Sequence, residues 1–219
     1  MMKKMILILG IIAASSSGAL AEWCGENGLI TLSFAEGPEL QSILNTEAES
    51  KGVTMIDLYA YLSDVDAVKR DGEVFLGIGA LELTLVVEGA EAFITSQEFP
   101  VANRTVGRRP GEVIVGLDPG INLEKENTQL VHWQVMFQGT PKNVVFSHDP
   151  EGGVSCERTP GCSEAKPYAL YTGTNASRQI SSIFGAGCVQ AYLNFEGEAN
   201  LTPLRGNETW KDVGIYEPR

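Results

Sequence analysis

The chain has only two histidines, His132 and His148, and lacks a Gly-x-Ser-x-Gly turn; Gly153-Val-Ser-Cys-Glu157 fails at the last glycine. A nucleophile beside its base is therefore hard to assemble. Ser147, His148 and Asp149 are consecutive, and neighbours on an extended chain point away from one another. Basic residues are in deficit, 16 Lys and Arg against 28 Asp and Glu. Nucleic acid and anionic membrane surfaces are neutralised by Lys and Arg, so neither is expected as a partner. Cysteine and histidine do not show the paired short spacings of structural zinc. No metal, cofactor or catalytic residue is assigned from the sequence. Helical periodicity is nearly absent.

What is present begins at the N-terminus. Lys3 and Lys4 are followed by an apolar run from Met5 to Ala14 and by Ala19-Leu20-Ala21, the three parts of a secretory signal peptide. The run is about half the ~20 residues that span a bilayer. Residues 1–21 are therefore expected to be a signal and 22–219 a single secreted domain, periplasmic or extracellular, with no membrane insertion after cleavage. Losing Lys3 and Lys4 leaves 14 bases against 28 acids, a net charge of −14.

All four cysteines fall after residue 21, and an oxidising compartment favours pairing. The expected connectivity is Cys24 with Cys188 and Cys156 with Cys162, the second closing a turn-rich segment. These would be staples, worth ~5 and ~2 kcal/mol in the chain-entropy account.

Two-residue alternation dominates the rest. Ile56, Leu58, Ala60 and Leu62 share one face of Val53 to Leu62, with Met55, Asp57, Tyr59 and Tyr61 on the other. Leu81, Leu83, Leu85 and Val87 alternate with Glu82, Thr84, Val86 and Glu88. Shorter runs of the same kind lie at 29–34, 74–78, 92–99, 112–117, 130–138, 143–147, 168–172 and 189–195. Arg70-Asp71-Gly72, Asp118-Pro119-Gly120 and Gly139-Thr140-Pro141 suit chain reversals. Glu36 to Gly52 and Asp149 to Lys166 read as long connections. Asn207 to Val213 reads as a short helical turn. The fold class predicted is all-β: a disulfide-stapled, mostly antiparallel β-sandwich with at most short helical turns.

The Leu58-Tyr-Ala-Tyr-Leu62 strand, the Asp64-Val-Asp66 turn and the long Gly77 to Glu88 strand resemble the opening of cohesin-like and other immunoglobulin-like secreted bacterial modules. Thr209-Trp210 and Tyr216 are similar to the tails of uncharacterised secreted bacterial proteins. The resemblance implies a noncatalytic role in which an exposed sheet face holds a partner. The four cysteines depart from the cohesin pattern.

The outward pair Tyr59 and Tyr61 is the expected binding site, since two residues two apart share a sheet face and aromatics are enriched at interfaces. Cross-strand packing is the competing use of such rings. Asp64, Asp66, Asp71 and Glu73 offer hard oxygen ligands for calcium, opposed by Lys69 and Arg70. The function expected is binding of a protein or polysaccharide at the cell envelope or outside. The alternatives are a secreted hydrolase using His148 with a carboxylate such as Asp149, and a structural subunit joined through strand edges.

Overall fold

A computed structural model describes residues 26–48, 52–65, 76–100, 104–105, 110–123, 127–149, 169–174 and 180–204. The signal segment, Cys24, the Asp66, Asp71 and Glu73 carboxylates, the Cys156 and Cys162 pair and the Asn207 to Val213 turn lie outside them. Among the described residues the regular structure is entirely strand. In chain order the strands are β1 (Glu26–Ser33), β2 (Ile43–Leu44), β3 (Val53–Ser63), β4 (Gly77–Glu88), β5 (Phe93–Glu98) and β6 (Arg104–Thr105). They continue as β7 (Glu112–Asn122), β8 (Thr128–Gln138), β9 (Val144–His148), β10 (Ala169–Thr174), β11 (Ile180–Val189) and β12 (Ala191–Leu193).

Neighbouring strands run β5-β8-β3-β1-β11-β10-β4-β9-β12-β2, with β7 also on β4 and β6 on β7. β4 is the hinge of this arrangement. Its residues 77–84 pair with β10 and β7, whereas Leu85 to Glu88 pair with β9. A strand that changes partners along its length lets one hydrogen-bonded array fold into two layers. The layers meet where Phe137 of β8 and Phe34 beyond β1 approach Phe146 of β9 edge-on, at 6.2 and 5.8 Å between centroids. Trp133, Phe137 and Phe146 are fully buried there with Leu32, Leu58 and Val135, each large apolar side chain contributing roughly 2–3 kcal/mol by leaving water.

The alternations of β3 and β4 hold. Ile56, Leu58, Ala60 and Leu62 enter the core, as do Leu81, Leu83 and Leu85. Gly139-Thr140-Pro141 links β8 to β9 as expected, with Gly139 at φ +72°. Four details differ from the sequence reading. β1–β11 and β12–β2 are parallel pairs in an otherwise antiparallel array, because strands far apart in the chain can run alongside once long connections separate them. Asp118-Pro119-Gly120 does not reverse the chain; it lies within β7, where the β4 register jumps from Ile78↔Ile121 to Ala80↔Gly116. A bulge tolerates the missing proline N–H, and Gly120 is required there, since a Cβ would stand 2.6 Å from the Ile78 carbonyl oxygen. β11 begins nine residues before the expected strand, and β2 lies inside an expected connection.

The fourth difference is the thiol. Cys188 is free and buried, and its expected partner Cys24 lies outside the described residues. The register partner of Cys188 on β1 is Ile30, while Glu26 pairs with Gly185. Cys188 is held by backbone bonds exchanged with Leu204, at 2.8 and 2.7 Å.

Candidate binding face and cleft

The outward residues of β3, β8 and β5 fall into three cross-strand rows. Met55, Met136 and Phe93 form the first, Asp57, Gln134 and Ser96 the second, and Tyr59, His132 and Glu98 the third. The rows follow from period-two alternation: with Ile56 and Leu58 in the core, Met55, Asp57 and Tyr59 must face out. In the first row Phe93 is 41% exposed, and Met55 and Met136 are half-buried. Thr95, at the register shift of β5, donates its hydroxyl to the Gln134 carbonyl at 3.2 Å and lies 3.1 Å from its Oε1.

The third row was not legible as a unit. His132 Nε2 sits 2.8 Å from Asp57 Oδ1, Nδ1 sits 3.8 Å from Glu98 Oε2, and the ring stacks on Tyr59 at 4.5 Å and 10°. The two carboxylates flank opposite edges of one imidazole, so the three groups do not converge on a single point. Asp57 and Glu98 side chains are 52% and 70% exposed, giving this row an open acidic rim.

The two tyrosines expected to form an open platform are covered. Tyr59 is 8% and Tyr61 2% exposed, because the His132 ring lies over Tyr59 and the loop after β1 closes on Tyr61, where Gly37 N–H donates to the Tyr61 hydroxyl at 2.8 Å. Burial, followed by the Asp57 and Glu36 charges, raises the Tyr59 pKa. Burial also raises that of Tyr61, opposed by the Gly37 bond. Both phenols are neutral at physiological pH, and neither offers a flat face to solvent.

Tyr61 opens instead onto a cleft of about 810 Å³ between the loop after β1, the end of β7 and the start of β8. Among the described residues Glu36, Asn122, Asn127, Thr128 and Gln129 line it with polar groups, and Pro38 and Pro100 with rigid walls. Asn127 is steadied by donating to the Pro38 carbonyl at 3.3 Å.

His148 is sealed in the core at 1% exposure, near Trp133 at 6.2 Å, with Nδ1 3.3 Å from the Thr84 carbonyl. Burial lowers its pKa to about 4. Ser147 beside it is also buried, so no substrate in solution reaches the pair. Burial pushes the Cys188 thiol up to about 12 and the Tyr192 phenol to about 12, leaving both protonated and inert. Of the proposed calcium ligands only Asp64 is described, on a left-handed turn at φ +52°. Among the described residues no three His, Cys, Asp or Glu side chains are grouped to hold a metal.

No protein-family model and no curated protein matches the chain. Solved structures do. The fold resembles that of cohesin modules. The seventh ScaB type I cohesin of Pseudobacteroides cellulosolvens is 10% identical, with a TM-score of 0.47 over 81% of this chain and 97% of that one. The sixth cohesin of Acetivibrio cellulolyticus scaffoldin B, solved with a dockerin, is 8% identical at a TM-score of 0.44, covering 78% and 99%. A type I cohesin–dockerin complex from Clostridium thermocellum gives 9% and 0.45, covering 79% and 96%.

Proposed function

We propose that this chain is a secreted, noncatalytic module, folded as one domain over residues 22–219, that binds a protein partner on the outward face of β3, β8 and β5. The observation that carries this reading is the apolar row of Phe93, Met136 and Met55 crossing three strands beside an acidic rim. Adaptable methionines beside an aromatic are a composition suited to protein contact. Asp57 and Glu98 give the face a negative border, so the complementary partner surface is apolar at its centre and carries Lys or Arg around it. Tyr59 serves from beneath, as the support on which His132 lies, and Tyr61 belongs to the neighbouring cleft. Secretion rests on the Lys3–Ala21 segment. A hydrolase built on His148 is disfavoured by the ring's burial.

The test is affinity purification from the secreted and envelope fractions of the source organism, followed by calorimetry with the purified partner. Phe93→Ala is expected to weaken binding by about 2 kcal/mol, roughly 30-fold, and to leave the melting temperature in place because the ring is exposed. An affinity unchanged by Phe93→Ala and Met136→Ala together would reject this face as the docking surface.

A further inference from the structure

The geometry points to a second site, the cleft beside Tyr61, that binds a neutral saccharide. It goes beyond the protein-docking reading and uses different residues. The first observation is unused hydrogen-bonding capacity. Thr128 is 6% exposed and lines the cleft, yet its Oγ1 has no partner among the described residues. The Tyr61 hydroxyl accepts from Gly37, and among the described residues its own proton is not donated. Buried polar groups are nearly always paired, so an orphaned hydroxyl calls for a partner that the described residues do not supply.

The second observation is the kind of group around them. Asn122, Asn127 and Gln129 bring three side-chain amides to one cleft, each both donor and acceptor. Sugar hydroxyls are also donor and acceptor at the same atom, so amides and hydroxyls satisfy one another without leaving a group unpaired. An anion is disfavoured by Glu36, and an apolar ligand would strand the amides. A cation would use only the acceptor half of the lining. Pro38 and Pro100 supply rigid apolar walls for the C–H faces of a sugar ring, and about 810 Å³ falls in the ~300–1,000 Å³ range of small-ligand sites.

The experiment is calorimetric titration of the full chain with xylotetraose, cellotetraose and chitotetraose, with glucose and xylose as monomers and hexalysine as the cationic control. Saturable binding of at least one neutral sugar is expected, weakened about tenfold by Thr128→Val and by Asn127→Ala, and unaffected by Phe93→Ala. Tetraose preferred over monomer assigns the site to glycan chains; equal binding assigns it to free sugars. Should Thr128→Val fold poorly, Asn122→Ala on the exposed wall takes its place. Absence of heat from every neutral sugar at millimolar concentration overturns the proposal. So does sugar binding that these cleft variants leave intact, or stronger binding of hexalysine. The Phe93→Ala result on the protein partner separates failure here from failure of the docking face.

Discussion

His148 ties the stability of the fold to pH, and replacing it with leucine should uncouple the two. The ring is sealed between the layers, and burial drops its pKa from 6.5 to about 4. Below pH 6.5 the unfolded chain takes up a proton at this position while the native chain does not, so the native state loses ground as pH falls. The loss ends near pH 4, where the native ring protonates too. At 1.36 kcal/mol per pKa unit, the gap between 6.5 and 4 amounts to about 3 kcal/mol, a large share of the ~5–15 kcal/mol that holds a typical domain together. Above pH 7 the ring is neutral in both states and this penalty vanishes. His148→Leu removes the titration at little structural expense, because the Thr84 carbonyl keeps its bond from Asp149 N–H at 2.9 Å. It also removes Nε2, which has no partner among the described residues. Urea unfolding followed by tryptophan fluorescence at pH 7.5, 5.5 and 4.0 measures the effect. Wild type should lose about 3 kcal/mol more than His148→Leu across that range. Parallel losses in the two proteins would refute the assignment of the pH dependence to this ring.

Gly120→Ala should destabilise the protein by about 2 kcal/mol, since its methyl group would meet the Ile78 backbone oxygen at 2.6 Å; an unchanged urea midpoint counts against the bulge. Cys188 should resist iodoacetamide at pH 8 in the native protein and react once unfolded, its thiol being buried and pushed up to about 12, and peptide mapping that finds it alkylated without denaturant contradicts the buried placement. Asp57→Asn should alter stability by less than about 1 kcal/mol, as expected for a half-exposed polar contact with His132, and a larger loss on thermal unfolding would mean that the row is structural. Phe137→Ala, by contrast, should remove about 3–5 kcal/mol, since the ring is 1% exposed against Phe146; a melting curve close to wild type would contradict the layer contact.

Period-two alternation alone assigned the all-β class and the faces of β3 and β4, because a strand that buries one side carries that demand in every second residue. It placed Leu58 and Leu83 in the core and Met55 and Asp57 outside without any knowledge of partners. It did not reveal β11, whose Gly-Ala-Gly-Cys stretch lacks the alternation because small residues suffice where neighbouring strands crowd both sides. The parallel pairing of β1 with β11 and the free state of Cys188 were also invisible, since register is a property of two strands and not of either. The site divides in the same way. That Tyr59 and Tyr61 share the outward face was fixed by their spacing. That His132 covers one ring, the Gly37 loop closes on the other, and Thr128 joins three amides in a cleft beside them required the tertiary structure. The Gly37–Tyr61 and His132–Tyr59 contacts join residues 24 and 73 positions apart, and only folding brings such groups together.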